Sequence, residues 1–517
     1  MDFLPSLQNK KPLSIYATIT FAVLFVLVCL FRLRVLIGFS FIYTDSDQAV
    51  LWDALDDMKH GIFHEPCFYG QAYSLLVEPL LALPLAWVGI PANIALPVIT
   101  VFLATLPFFL LGWGCFRQGY YISACFALTV PLWLPVGYSA MTSIPRGFVG
   151  STAFAAMGVY AAVFSRGKLK HFWFALFSVL AIATNIDGVF LIFPVALVYW
   201  LQNIKKWSYY KHIVLGVLAA AIVPIFKYEF YKIHPEHNLH ILEFFFNSWL
   251  LRPANLEPGK IFLMLTPYSH HKLATYFGLI LSFAFICFLK RNWRFGLSMI
   301  LTIILIYVST GNYKAHDGYN TLFFSCSRMF VALPVVLVLF FFWAEVSLRN
   351  YKWYSKFLVY SVTILLCIGI ICFSERNNVF KDFISNDVKG LTKVEVHSVT
   401  DVYAQCRSLD SLSAKYHFGL IVTFERCVNY ICPIIYPSLR TIEPDYERRV
   451  WVMREEDTTH RDHFLFYSCD SAFVKQAIDS GYSVKVIDPS PMSCLIENKG
   501  QNTFDILKKI GITVRLH

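Results

Sequence analysis

Apolar residues in this chain of 517 gather into long runs, near residues 13–37, 92–115, 120–139, 148–164, 172–184, 188–201, 212–226, 272–289, 295–309, 322–345 and 355–373. Runs of this length match the thickness of a bilayer's hydrocarbon core. Inside hydrocarbon the backbone finds no water, so each run must satisfy its own hydrogen bonds as a helix. Composition agrees: hydrophobic residues make up 57% and charged residues 15%, where a soluble domain carries about a quarter charged. The expected fold is an α-helical multi-pass membrane protein of about eleven transmembrane helices. Lys and Arg outnumber Asp and Glu by 44 to 34. That excess sits in short turns rather than in a basic tract, and no nucleic-acid motif appears, so nucleic acid is not an expected partner. The start of the chain is weakly basic and lacks a small-residue cleavage site, so the first run reads as a retained helix.

Charge orders the topology. With a cytoplasmic N-terminus, the basic clusters Lys10–Lys11, Arg117, Arg166–Lys170, Lys205–Lys211, Lys290–Arg294 and Arg349–Lys356 all fall inside. This requires that residues 73–88, which contain Glu78, Pro79 and Pro84, lie along the membrane surface instead of crossing it. The first outer loop, 40–91, the outer loop 227–271 and the hydrophilic tail then share the outer face. Two domains follow: a transmembrane domain, 1–374, and a small soluble α/β domain, 375–517. In the tail, GLIVTF (419–424), RVWVM (449–453), HFLFY (463–467) and YSVKVI (482–487) read as strands, and 471–479 and 503–510 as amphipathic helices. Five cysteines lie there, so disulfides are possible with one left over. The outer segments contain no N-x-[ST] sequon, which points to a bacterial inner membrane with the C-terminus in the periplasm.

The first outer loop is acidic: Asp45, Asp47, Asp53, Asp56, Asp57 and Glu65 lie within about twenty residues, and carboxylates are costly next to hydrocarbon. Asp45 followed by Gln48 has the form of a helix cap, and Leu51, Ala54, Leu55 and Met58 share one helical face. Asp53, Asp56 and Asp57 would then be the solvated face. Asp45 and Asp47 precede that helix at the membrane exit, where a carboxylate can meet a lipid-linked phosphate ester and an acceptor hydroxyl together.

A first span ending in DSD, a juxtamembrane helix and then FYGQAYSLLVEPLLALPL resembles the GT-C superfamily of membrane glycosyltransferases. It is nearest the branch with protein O-mannosyltransferases and the aminoarabinose transferase of lipid A. Gln71, Tyr73 and Glu78 match the later part of that branch's loop pattern, and the resemblance covers the whole chain. It implies an inverting transfer of sugar from a polyprenyl-phosphate donor to a lipid, glycan or protein acceptor at the outer face. An aspartate of the first outer loop, Asp45 or Asp47, would be the general base. Cations must stabilise the departing phosphate, and outer-face candidates are Arg328, a few residues inside the tenth span, and Arg146 in SIPRGF. His270 and His271 are further substrate-binding candidates, with an ordinary interfacial loop role as the competing reading. The turn SAMTSIPRG carries no acid where metal-using relatives have a second acidic motif, and Asp187 is the nearest carboxylate. A metal-independent mechanism without cofactor is expected, although Asp45 and Asp47 could hold one divalent ion. Two other readings compete: a transporter or flippase, expected to carry mid-membrane charges and inverted repeats, and a non-catalytic scaffold of envelope assembly.

Overall fold

Each apolar run read as a span carries helix where the computed structural model describes it, the run 120–139 as two helices, Tyr121–Trp133 and Val136–Met141; the described residues are 15–239, 246–251, 272–316, 329–349, 354–388, 396–489, 491–498 and 500–515. Among the described residues five helices are long and apolar enough to cross a membrane: Ile15–Ser40, Ala92–Arg117, Ile186–Asn203, Tyr209–Ile233 and Phe357–Asn386. Seven shorter apolar helices accompany them, among them Val77–Trp87. That helix has 11 residues, a rise of about 16 Å against a hydrocarbon core of about 30 Å. It buries Glu78, Pro79, Ala82 and Ala86 while Leu80, Leu81 and Trp87 stay exposed, as suits a helix lying at a surface. The last long helix continues past the drop in hydropathy near residue 374, through Tyr354–Asp382 and a π turn at Phe383–Asp387.

The described residues divide into two compact units, one of residues 1–40, 97–226 and 242–389, the other of 41–96, 227–241 and 390–517. In the first unit the opening helix, Ile15–Val35, ends in a π turn, Leu36–Ser40. It runs parallel to the last long helix: Tyr16 and Thr363 share a 2.8 Å hydrogen bond near their beginnings, and Arg34 donates to Asn377 at 2.7 Å near their ends. Small residues bring helices Val149–Phe164 and Leu169–Thr184 together. A Cβ on Gly158 would sit 3.3 Å from the Phe174 carbonyl, the close backbone approach by which membrane helices associate.

The second unit assembles the acidic loop with the tail. A short antiparallel pair joins β1 (Tyr43–Thr44) to β2 (His397–Ser398). The tail sheet has the order β4-β3-β5-β7-β6, from β3 (Ile421–Thr423), β4 (Thr441–Ile442), β5 (His463–Tyr467), β6 (Val484–Pro489) and β7 (Met492–Glu497). β3 lies parallel to β4 and β5, whereas β7 pairs antiparallel with β5 and β6. Helices Ser471–Asp479 and Thr503–Lys509 appear where their amphipathic patterns place them. RVWVM is not a strand. Helix Val450–Thr458 begins inside it and buries Val450 and Met453, three residues apart, so packing overrides the β-branched propensity of the segment. The Cys406–Cys432 and Cys469–Cys494 disulfides staple the tail, and Cys427 is free and buried.

Candidate active site

The helix of the acidic loop, Ser46–Lys59, starts where the sequence places it. Asp45 has extended backbone and its carboxylate accepts from the Gln48 amide at 2.8 Å, satisfying one of the unpaired N–H groups of the first turn. Asp45 is 1% exposed. Asp47, in the first turn, keeps 26% of its side chain exposed and meets the Arg448 guanidinium, Nη2 to Oδ1, at 3.1 Å. The FYGQ segment shapes the place where Arg448 lies. Arg448 stands over the Phe68 ring, 4.9 Å from its centroid, and Gly70 at φ +76° passes so close that a Cβ there would be 3.2 Å from Arg448 Cβ. Glycine alone provides both the left-handed backbone and the clearance. The Gly70 amide donates to Glu65 at 2.9 Å, which fixes the turn.

Asp53 and Asp57 are not on a solvated face; this expectation is corrected. The tail covers Asp53, and the loop's own Tyr69 and His64 cover Asp57. Asp53, with 13% side-chain exposure, lies 3.9 Å from Arg449. Burial pushes its carboxyl up to about 8 against the pull of Arg449. Asp57 accepts from the Tyr69 hydroxyl at 2.8 Å, and burial raises it too. Asp56 is the most open of the three and sits 3.5 Å from His60. Arg449 is held by Glu447, Nε to Oε1 at 2.9 Å and Nη2 to Oε2 at 3.1 Å, and by Asn429 at 3.0 Å. Burial alone would raise Glu447, but Arg449 and Asn429 hold it below the ordinary carboxylate range. Beside this network His64 stacks on Trp451 at 3.6 Å, and burial lowers its imidazole to about 4. Glu65 is fully buried, accepts from the Tyr231 hydroxyl at 2.8 Å and lies 3.5 Å from His237.

The remaining candidates divide. Gln71 is buried and its carbonyl accepts from Tyr231 at 2.9 Å; Tyr73 is half-buried within the electrostatic reach of Arg448; Glu78 is buried in helix Val77–Trp87. These three therefore belong to the unit that holds Asp45 and Asp47. Arg146 is half-buried in the turn before helix Val149–Phe164, in the other unit. Arg328, His270 and His271 lie outside the described residues. Sequence reasoning missed Arg448 and Arg449, which sit in YERRV, an acid and two arginines against an apolar run. It also missed the buried charges of the bundle. Arg32, 3% exposed, donates to Thr142 at 3.0 Å and to the Ser139 carbonyl at 3.3 Å, and Asp187 and Glu345 are equally buried.

No protein-family model and no curated protein matches this sequence. The fold does have a counterpart. The crystal structure of ArnT from Cupriavidus metallidurans in the apo state aligns with a TM-score of 0.54 at 10% identity, covering 95% of this chain and 99% of that one. ArnT from the same organism bound to undecaprenyl phosphate aligns with a TM-score of 0.54 at 9% identity, covering 92% and 98%. The chain shares the fold of these structures, and among its described residues five helices are long and apolar enough to cross a membrane. The likeness runs over nearly the whole of both chains.

Proposed function

We propose that the protein is an inverting glycosyltransferase that moves a sugar from a polyprenyl-phosphate carrier to a lipid, glycan or protein acceptor at the outer face of a bacterial inner membrane. The observation that carries this reading is the chain-long likeness to ArnT, which has been crystallised with undecaprenyl phosphate. Two features support the orientation. The parallel first and last long helices fit an odd number of crossings, and the tail disulfides suit an oxidising compartment.

Within the acidic loop the two aspartates divide the work. Asp47, partly exposed and oriented by Arg448, is the candidate general base, and Asp45 fixes the helix start that presents it. A base of this kind removes the acceptor's proton as its oxygen attacks the anomeric carbon and the carrier phosphate leaves. Arg146 and Arg328 are candidates to stabilise that departing phosphate by charge-assisted hydrogen bonds. The reading is of a metal-independent mechanism, and the pairing of Asp47 with the Arg448 guanidinium supports it. The test is transfer from endogenous polyprenyl-linked donors in membrane extracts. Asp47→Asn should lower it by a factor of about a hundred to ten thousand. Asp45→Asn keeps a competent cap, since Asn caps as well as Asp, so it should retain transfer, and a loss there would make the charge of Asp45 part of the chemistry. Near-normal transfer in both single variants and in the double variant would overturn the reading.

A further inference from the structure

A groove of about 550 Å³ runs between the outgoing ends of the first helix and the last long helix. That volume lies within the range of small-molecule sites. Leu30, Leu33 and Ile37 form one wall and Phe380 and Ile384 the other. The leucines and Ile37 are each about half exposed, so on a membrane-spanning helix they face lipid. Apart from these apolar residues and Gly38, the lining consists of two cations, Arg34 and Lys381.

Three observations mark the groove as built. Gly38 lets the Phe380 ring lie against the first helix, and a Cβ there would come within 2.9 Å of that ring. Both helices switch to π turns at this level, Leu36–Ser40 and Phe383–Asp387, and such turns are frequent at functional sites. Arg34 is aimed by its neighbours: Asn377 accepts one N–H at 2.7 Å, and the guanidinium lies 5.8 Å from the centre of the Phe380 ring. A guanidinium has five N–H groups, and among the described residues no carboxylate pairs with this one. A half-buried arginine beside hydrocarbon calls for an anion.

We infer that the groove between Leu30–Gly38 and Phe380–Ile384 is a binding site for an anionic phospholipid, with Arg34 and Lys381 on its phosphate and the apolar walls along its acyl chains. The phosphate accepts two hydrogen bonds from the planar guanidinium and one from the ammonium. Beyond the two cations the lining has no polar side chain with which to read a sugar, which favours an abundant bilayer phospholipid over a sugar-carrying lipid. The inference rests on the membrane fold alone and stands whatever the acceptor of the proposed transfer is.

The test is native mass spectrometry of the full-length protein in nanodiscs containing phosphatidylglycerol, phosphatidylcholine or undecaprenyl phosphate. The wild type should retain phosphatidylglycerol in preference to phosphatidylcholine. Arg34→Gln with Lys381→Gln, which keeps a polar partner for Asn377, should weaken that retention about tenfold, as the loss of charge-assisted hydrogen bonds predicts. Gly38→Leu, which drives a side chain against the Phe380 ring and so closes the groove, should give the same loss with both cations retained. Equal retention in the variants and the wild type would overturn the inference. So would undecaprenyl phosphate displacing phosphatidylglycerol at equal concentration, because the groove would then belong to the carrier lipid.

Discussion

Glu345 and Glu447 are both buried, one in the membrane unit and one in the unit formed by the acidic loop and the tail. Glu345 takes its hydrogen bonds from neutral groups, the Ser123 amide at 2.7 Å and the hydroxyls of Ser123 and Tyr354. Glu447 takes two from one guanidinium, that of Arg449. The contrast extends beyond this pair. Arg32 in the bundle also leans on a hydroxyl and a carbonyl, whereas Arg426, Arg448 and Arg461 each face a carboxylate in the second unit. In the bundle the partner is on a neighbouring helix already brought close by packing, and a neutral donor suffices. The second unit joins stretches far apart in the chain, and Asp47 and Arg448 are 401 residues apart. The pairs that join loop to tail, Asp47–Arg448 and Asp53–Arg449, set which surfaces meet, the role in which buried pairs are best attested.

The sharpest way to break this contrast is Arg449→Ala. It strands Glu447 and leaves Asp53 without its cation, and removing one partner of a buried pair costs about 3–5 kcal/mol. Denaturant unfolding of the detergent-purified protein, followed by its tryptophan fluorescence, should show the loss, with Arg449→Lys only partly restoring it because the fork is gone. A cost below about 1 kcal/mol, the range of exposed pairs, would mean that the tail is held by its apolar contacts. In the bundle the matching change, Glu345→Ala, leaves the Ser123 amide and hydroxyl unsatisfied and should cost about 1–3 kcal/mol. Glu345→Gln should cost less, since its carbonyl still accepts. Were Gln as damaging as Ala, the charge of Glu345 would matter and the bundle would resemble the other unit.

These differences explain what the sequence made legible. The spans were, because a helix in hydrocarbon advertises itself by a long apolar run whatever its neighbours are. The start of helix Ser46–Lys59 was, because a cap is a local bond from Asp45 to Gln48. The expectation that 73–88 does not cross came from charge bookkeeping over the whole chain, not from its own composition, and helix Val77–Trp87 there has 11 residues. What stayed hidden depended on distant partners. Asp53 looks like a solvated residue until Arg449, nearly four hundred positions later, covers it, and RVWVM looks like a strand until Val450 and Met453 are buried together. Arg448 left a trace in the consecutive arginines of YERRV, but nothing local says that its carboxylate is Asp47.

The smallest expected effect bears on the same contact, Asp53 against Arg449, through pH. Burial raises the Asp53 carboxyl from an ordinary 3.8 to about 8. A group raised on folding binds its proton more tightly in the native state, so its contribution to stability is whole below about pH 4 and is lost as the pH climbs through about 8. Asp53→Asn keeps the shape without the titration. Relative to the wild type it should leave the melting temperature nearly unchanged at pH 4 and raise it at pH 9, by roughly 2–4 °C for a gain of about 1 kcal/mol in a unit of this size. The 3.9 Å approach of Arg449 argues the other way: if attraction to the guanidinium outweighs desolvation, the same substitution destabilises at pH 9. Melting curves at the two pH values decide between them. A lower melting temperature for the variant at pH 9 would make Asp53 a full partner in the ion-pair network, a charge the second unit needs.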